Sequence, residues 1–501
     1  MSKRRFLDNK SNTYQALWIG LGNLSSFGIA IVSAAILSRY LDKTEYGTYR
    51  QILYVYNTLL IVFTAGLPRV FNYFLPRYDL SQGKEIVLKI TKVLFLTGLA
   101  FSLFLFACSG VIANVLNNPE LARGLKYFAP VPMLMLPTLG IEGIFSTYRK
   151  TIYIAFYSIL SRTLMLVFIV APVILFSKSY ISAIYGWLVS SALILVMAFY
   201  FKGIPFRGIK QEKSGLGFKE ILAYSLPLVS ASLAGIVWQS SNQFYVSRFF
   251  GTEVFADFSN GFIELPIIHM ITGAASTVLM PLFSKAVHDK SDSSQITNLW
   301  RSALQKSVVL IYPITIYFLF YSTEVISIIF SDAYADSAKF FTAAIIINLF
   351  KVINFSSLLL AMGKSRYYAR LHYVLAISTW VSQYLAILIF NTPMSVALCY
   401  VVISIGGLIA PMIYVARLIK VPFFTLVPLR RILVISLHAF ISMFLANLLF
   451  RWLIPDVPDI VFIAVAGLAY LLLLVLTSKF FKINYWDLVR PLLNRKSEER
   501  S

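Results

Sequence analysis

Runs of about 20 apolar residues recur along this chain, and no other feature limits its possible folds as strongly. The lipid interior offers the backbone no hydrogen-bonding partner, so a segment that crosses it is helical or belongs to a closed barrel. About 20 apolar residues match the length of one helical crossing. Of the 501 residues, 58% are hydrophobic and only 13% are charged, whereas soluble domains carry about 25% charged residues. The sequence therefore predicts an integral membrane protein built from helices.

The apolar runs predict an all-α polytopic protein with about fourteen membrane-spanning helices. The approximate spans are 15–37, 52–75, 89–113, 127–147, 152–176, 181–201, 221–247, 255–283, 303–322, 338–362, 369–390, 394–416, 431–453 and 458–478.

The charge distribution predicts an orientation. The chain has 44 Lys and Arg residues against 22 Asp and Glu residues. With a cytoplasmic N-terminus, most of the basic residues outside the spans fall in loops on the cytoplasmic side, as the positive-inside rule requires. We therefore expect both termini and the loop around 202–219 to be cytoplasmic. A nucleic-acid partner is not expected, because the chain has no soluble basic domain with aromatic platforms.

A charged phrase occurs twice between spans, as "SRYLDKTEYGTYR" at 38–50 and "SRFFGTEVFADF" at 247–258. The two copies are 209 residues apart, and "YRKTIYIAF" at 148–156 resembles "MGKSRYYAR" at 362–370 with an offset of 214. Similar offsets at distant places predict an internal duplication. We expect two six-helix bundles related by a parallel repeat, at 1–205 and 206–416, with two further helices and a cytoplasmic tail at 417–501.

The first phrase has an expected structural role. Arg39 can satisfy carbonyls at the end of its helix, and Gly47 permits a tight turn into the next helix. Tyr46 and Tyr49 are amphipathic aromatic residues of the kind found at the membrane interface.

Three cations, Arg69, Arg162 and Lys351, lie inside predicted spans. A charge at the bilayer centre costs about 2.5–3.5 kcal/mol on insertion scales, so each needs a reason. Glu142 is a possible partner for Arg162, and Glu264 for Lys351. The residues leave two interpretations open: neutralising structural pairs, or cations that line a cavity and bind an anionic headgroup.

Polar residues at helical spacing occur on three spans. Asn72 follows Arg69, Asn242 lies between Gln239 and Gln243, and Asp257 precedes Glu264 on one face. Polar stripes in both halves predict a wet cavity, with hydrogen bonding between neighbouring helices as the alternative.

The phrase "LSRYLDKTEYGTYR", the fourteen spans and the repeat resemble the polysaccharide flippases of the multidrug/oligosaccharidyl-lipid/polysaccharide exporter superfamily. The O-antigen and capsule-repeat flippases are the closest subgroup. The second copy departs from the pattern, since Ala256 and Val254 replace Gly47 and Glu45.

The resemblance implies translocation of a polyprenyl-pyrophosphate-linked oligosaccharide across the bacterial cytoplasmic (inner) membrane by alternating access. The product would serve surface polysaccharide or lipopolysaccharide synthesis, alongside other assembly proteins and membrane lipid. The substrate cavity would contain Arg69, Asn72, Arg162, Asn242 and Lys351.

Two alternatives remain open at this point. A multidrug cation exporter of the same superfamily would prefer a cavity dominated by carboxylates, and a glycolipid polymerase or ligase would need a larger outer loop. The chain contains no GxxxxGK[ST] phosphate loop, so we expect no ATP hydrolysis. Because the outer loops are short and no catalytic or metal-ligand spacing occurs, we also expect no enzyme activity, metal or cofactor. Coupling to a proton or sodium gradient is expected instead, with Glu142, Asp257 and Glu264 as the coupling or charge-pairing carboxylates.

Overall fold

A computed structural model describes residues 12–289, 292–352, 356–453 and 457–485. Within these ranges all regular secondary structure is helical, which confirms the all-α prediction. The predicted cytoplasmic termini extend into residues 1–11 and 486–501, which lie outside the described residues.

The α-helices are α1 (Asn12–Tyr40), α2 (Lys43–Thr64), α3 (Leu67–Phe74), α4 (Leu80–Val115), α5 (Pro119–Phe128), α6 (Val131–Met135), α7 (Ile141–Thr147), α8 (Ile152–Leu175), α9 (Tyr180–Gly203), α10 (Phe218–Gly261), α11 (Pro266–His288), α12 (Ser293–Phe320), α13 (Ser322–Phe330), α14 (Ser337–Ile346), α15 (Ser356–Ala361), α16 (Ser365–Phe390), α17 (Pro393–Leu418), α18 (Phe423–Leu426), α19 (Leu429–Leu453) and α20 (Asp459–Thr477). Short 3-10 turns occupy Leu75–Arg77, Leu136–Thr138, Ile204–Phe206, Asp332–Tyr334 and Ile347–Leu349.

The described part of the chain contains eleven helices, or helices joined end to end, that are long and apolar enough to cross a membrane. The number is twelve when α2 and α3, bent by 41°, count as one broken span. The polytopic prediction is confirmed, but the count of fourteen is not. The two predicted spans outside this set are 221–247 and 338–362. The first lies in the long, polar α10, which has a non-helical residue at Gly251, and the second is divided between α14, a 3-10 turn and α15.

Two predicted spans, 52–75 and 127–147, are interrupted by residues with left-handed backbone conformations. Ala65 and Gly66, with φ of 48° and 69°, separate α2 from α3. Gly140, with φ of 91°, precedes α7, and a Cβ atom at this position would lie 2.1 Å from the Phe71 ring. Non-helical backbone at membrane depth is tolerated where protein buries it or where it lines a water-filled cavity. These breaks therefore indicate where a polar site is expected.

The chain divides into two compact units, Met1–Ser259 and Asn260–Ser501. In the first unit α1 packs against α8, α8 against α9, and α4 against α5 and α6. The boundary differs from the divisions expected at 205/206 and 416/417. Residues 218–259 belong to the first unit, in which the second charged phrase contacts the first, as described below, and the expected divisions stay a prediction.

In the second unit α16 packs against α17, as α8 packs against α9 in the first. Ile152 and Ser365, which begin α8 and α16, are 213 residues apart, and so are Tyr180 and Pro393, which begin α9 and α17. The recurrence of this helix pair at the offset seen in the sequence supports the predicted duplication. The two last helices, α19 and α20, pack against each other, and α19 also packs against α12.

Within the first unit, the two charged phrases contact each other through equivalent positions. The Thr44 hydroxyl donates to Glu253 Oε1 at 3.0 Å, and Arg50 Nη2 donates to the Ser259 carbonyl at 2.7 Å. Each contact joins residues 209 apart, which is the offset between the two copies. Contacts between equivalent positions are the pattern that a two-fold axis between the two phrases would produce.

The expected role of the first phrase is partly confirmed. Arg39 donates to the Ala35 carbonyl at 2.8 Å, as predicted. Gly47, however, lies inside α2, and a Cβ atom there would be 2.2 Å from the Thr252 carbonyl oxygen. Gly47 is therefore needed for close contact with the second phrase rather than for a turn. Tyr46 and Tyr49 are buried rather than interfacial, and Trp187 donates to the Tyr49 hydroxyl at 3.0 Å.

Candidate functional site

A cavity of about 500 Å³ lies in the first unit beside the breaks at residues 65–66 and 139–140. We call it the arginine cavity. Arg69 comes from α3, just after the first break, with Asn72 one turn further along. Glu142 comes from α7, just after the second break, and Arg162 from the middle of α8. The structure thus brings four of the predicted site residues to one cavity.

The arginine cavity has two guanidinium groups and one carboxylate. No ion pair within 4 Å joins Glu142 and Arg162, and among the residues described none of Arg69, Glu142 and Arg162 has a charged partner. The side-chain contact that the structure gives Arg162 is a long one, 3.9 Å from Nη1 to Met165 Sδ. The proposed pairing of Glu142 with Arg162 is therefore not an ion pair in this structure, and the guanidinium groups are available to an anion.

Two further cavities continue from the arginine cavity: the first shares Arg162 with it, and the second shares Arg50 and Asn57 with the first. One of about 230 Å³ is lined by Arg162 together with Arg50 and Asn57. A second, of about 350 Å³, is lined by Arg50, Asn57, Gln239 and Gln243. The three cavities form a series with polar residues at each step. Such a lining suits the hydroxyl groups of a sugar as well as a phosphate anion.

Asn242, one of the predicted cavity residues, has a different environment. Its side chain is buried, and its Oδ1 accepts a hydrogen bond from the Gln243 backbone N–H at 2.8 Å. Gln239 and Gln243 line the cavity of about 350 Å³ instead, because they lie one turn apart on the same face of α10.

Lys202, placed at the start of a loop in the sequence interpretation, is buried near the end of α9 with 4% of its surface exposed. Its ammonium group donates to the Pro137 carbonyl at 2.6 Å and to the Thr91 hydroxyl at 3.1 Å. It also lies 5.4 Å from the centre of the Phe71 ring. Lys202 therefore holds the interrupted segment before Gly140, which borders the arginine cavity.

The second unit contains a cluster of three titratable residues at its own breaks. Lys351, which follows the 3-10 turn Ile347–Leu349, places its ammonium group 2.9 Å from Glu264 Oε2 and 3.0 Å from His269 Nε2. Glu264, in the break before α11, also contacts His269 Nε2. The structure thus joins Glu264 and Lys351 as the sequence indicated, and adds His269.

The cluster has a property that follows from its atoms. An ammonium group only donates hydrogen bonds and a carboxylate only accepts them. His269 Nε2 can accept from Lys351 when it has no proton, or donate to Glu264 when it has one, but it cannot do both. Gain of a proton at Nε2 therefore exchanges one partner for the other.

Asp257, the remaining carboxylate singled out by the sequence, is a partner in the contact between the two phrases. Its Oδ2 lies 2.8 Å from the Lys43 ammonium group, and only 7% of its side chain is exposed. Asp257 therefore has a charge-pairing partner, and a coupling role for it stays a prediction.

The family follows from a match that covers more than half of the chain. The family model described as "Polysaccharide biosynthesis protein" matches residues 36–339. The chain belongs to this family. The matched range includes both charged phrases and all three cavities of the first unit except for residues 23–34 of α1.

The chain is also similar to a curated relative and to solved structures. It is 24% identical over 318 residues to the succinoglycan biosynthesis transport protein ExoT of Rhizobium meliloti, and the match covers 61% of this chain and 59% of that protein. The fold matches the lipid II flippase MurJ in an inward closed conformation, with a TM-score of 0.70, 15% identity and coverage of 93% and 99% of the two chains. A multidrug resistance MATE family transporter of the MOP superfamily gives a TM-score of 0.61 at 13% identity, with coverage of 80% and 94%.

The solved structures establish the fold as that of polytopic membrane transporters, and the family model confirms the family resemblance found in the sequence. The residues that sequence reasoning missed are Arg50, Asn57, Lys202 and His269. Arg50 belongs to the first phrase, and Asn57 lies seven residues after it, which places both on one face of α2. That spacing was a usable signal. For His269 the only signal was its position five residues after Glu264.

Proposed function

We propose that this chain is a flippase that translocates a polyprenyl-pyrophosphate-linked oligosaccharide across the bacterial cytoplasmic membrane for surface polysaccharide synthesis. The observation that carries the proposal is the arginine cavity. Inside a unit made of membrane-spanning helices, Arg69 and Arg162 line a cavity of about 500 Å³ without a charged partner among the residues described. Membrane-embedded cations persist where they have a function or a partner.

The chemistry of the cavities fits the two polar parts of such a substrate. A pyrophosphate takes charge-assisted, bidentate hydrogen bonds from guanidinium groups. The amide side chains of Asn57, Gln239 and Gln243 in the adjoining cavities can donate to and accept from sugar hydroxyls. The polyprenyl tail is apolar and needs no cavity, because lipid solvates it.

Two of the similar proteins agree with this proposal, since one is a succinoglycan transport protein and the other a lipid II flippase. The multidrug exporter alternative fits less well. Across the three cavities the described lining contains Arg50, Arg69 and Arg162 against the single carboxylate of Glu142, whereas a cation exporter requires an excess of carboxylates.

Transport would proceed by alternating access, with the termini in the cytoplasm and a proton or sodium gradient as the energy source. Among the described carboxylates, Glu264 is the better candidate for coupling, because it contacts both His269 and Lys351 at a break between helices. Asp257 is occupied by Lys43. Other assembly proteins would supply the substrate and consume the product.

The test is translocation by the purified protein in liposomes. The probe is a polyprenyl-pyrophosphate carrying a fluorescent disaccharide, and a membrane-impermeant quencher reports how much of it faces outward. We expect Arg162→Gln to lower the initial rate at least 10-fold. Lys178→Gln, an exposed lysine between α8 and α9, is the control and should transport at the wild-type rate.

Two outcomes contradict the proposal. One is an unchanged translocation rate in a correctly folded Arg162→Gln protein. The other is efflux of a cationic dye by the wild-type protein with no movement of the glycolipid, which would favour the multidrug exporter.

A further inference from the structure

A second basic site lies in the second unit and shares no residue with the Glu264 cluster. It is a cavity of about 690 Å³ that we call the basic pocket. Arg301 and Gln305 reach it from α12, Arg430 and Arg431 from the first turn of α19, and Lys482 from the segment after α20. Residues distant in sequence are thus brought together at one end of three helices.

The basic pocket has four cations and no carboxylate in its lining. Arg431 Nη2 donates to the Lys482 carbonyl at 2.6 Å, which fixes one guanidinium group at its edge. Among the described residues, none of the four cations forms an ion pair. Elsewhere the chain does supply partners, such as Glu85 at 2.8 Å from Lys89 and Glu324 at 3.3 Å from Arg451. Four like charges repel each other, and a bound anion offsets that repulsion.

The positive-inside rule explains why basic residues occur on one side of a membrane protein. It does not explain why four of them converge on a single cavity. Two of the four, Arg430 and Arg431, also stand in the first turn of α19, where the helix dipole disfavours positive charge. Their position costs the helix some stability, which an anion held between them would offset.

The surroundings of the basic pocket are apolar and exposed. Phe424, which lines it, has 67% of its surface exposed, and the neighbouring Phe480 has 86%. An exposed apolar stripe leads away from the pocket along α19, at helical spacing, and consists of Leu429, Leu433, Leu437, Phe440, Phe444 and Leu448. A ligand that fits both parts has an anionic head and apolar chains.

We propose that the basic pocket binds the phosphate headgroup of an anionic phospholipid, whose acyl chains lie along the stripe on α19. Guanidinium groups hold phosphate in bidentate geometry, and basic pockets between membrane helices are suited to lipid headgroups. The site is separate from the arginine cavity and does not depend on what the protein transports. A bound lipid there would join α12 to α19 and the segment after α20.

The test uses the full-length protein, stripped of lipid in detergent. Phosphatidylglycerol or phosphatidylcholine is added, and bound lipid is counted by native mass spectrometry while the Tm is followed. The pocket variant is Arg301→Gln/Arg430→Gln/Arg431→Gln. The control is Lys210→Gln/Lys213→Gln/Lys219→Gln, which removes the same charge from exposed positions before and in the first turn of α10.

We expect phosphatidylglycerol to bind and raise the Tm of the wild-type and control proteins, with phosphatidylcholine at least 10-fold weaker. The pocket variant should lose at least 10-fold in phosphatidylglycerol affinity. Arg301→Gln alone should lose part of it, and serves if the triple variant does not fold. Equal loss in the pocket and control variants would overturn the proposal, since it would indicate non-specific attraction. Equal stabilisation by inorganic phosphate would overturn it too, since the acyl chains would then contribute nothing.

Discussion

Replacing Lys351 with glutamine removes the cation from the Glu264 cluster and separates a structural role from a transport role. The ammonium group lies 2.9 Å from Glu264 Oε2, with 25% of the lysine side chain and 59% of the glutamate side chain exposed. Both residues lie at breaks between helices rather than within packed helices. Such breaks at membrane depth border water-filled cavities or are buried in protein, and more than half of the Glu264 side chain is not covered by protein.

The exposure determines how much stability the pair contributes. Two unit charges at 4 Å attract by about 4 kcal/mol at an effective dielectric constant of about 20, but by only about 1 kcal/mol in bulk water. Because more than half of the Glu264 side chain is exposed, the value in water is the better guide, and exposed pairs contribute about 0.2–1 kcal/mol. For a protein of this size, we expect the Tm of Lys351→Gln to fall by about 2 °C at most.

The expected effect on transport is much larger than the effect on stability. We expect Lys351→Gln and the double variant Glu264→Gln/Lys351→Gln to transport the fluorescent glycolipid at least 10-fold more slowly. Lys351→Arg, which keeps the charge, should retain part of the activity. The matched control is Lys339→Gln, which breaks the 2.7 Å pair with Asp336 in the same unit and should change neither the Tm nor the rate.

The double variant gives the decisive result. If it transports at the wild-type rate, Lys351 does no more than neutralise Glu264, and a role in binding or coupling is refuted. A fall of more than about 5 °C in the Tm of Lys351→Gln that is restored in the double variant would refute the estimate of a weak, solvated pair.

Three further predictions concern other parts of the chain. Gly47→Val places its Cβ atom against the Thr252 carbonyl oxygen and should lower the free energy of unfolding, measured by chemical denaturation, by about 1–3 kcal/mol. An unchanged free energy of unfolding would mean that the two phrases separate without cost. Lys202→Ala leaves the Pro137 carbonyl without its donor at 2.6 Å and should cost about 2–5 kcal/mol, whereas Lys178→Ala should be within about 0.5 kcal/mol of wild type. In a cysteine-free background, labelling of Lys213→Cys should require permeabilised cells, whereas labelling of Lys178→Cys should not. The reverse pattern would show that the predicted orientation is wrong.

The class of the protein was decided by the sequence. Lipid cannot satisfy a backbone polar group, so long apolar runs had to become helices, and their recurrence predicted a polytopic all-α fold without any knowledge of packing. The same argument marked Arg69, Arg162 and Lys351, because a charge inside an apolar run is costly wherever the helix lies. The echo between residues 38–50 and 247–258 indicated a duplication, and the paired helices α8–α9 and α16–α17 recur at a similar offset.

The tertiary structure decided which of these residues share a site. The break at Gly140 depends on its close contact with Phe71, and such contacts join residues far apart in sequence. For the same reason, helical periodicity could not predict that Lys202 is buried or that Lys351 contacts His269. It also could not predict that Gln239 and Gln243, and not Asn242, line a cavity. Periodicity gives the face of a helix on which a residue lies, but the helix packed against that face is set by the whole chain, and that neighbour decides whether a polar side chain meets a partner or a cavity.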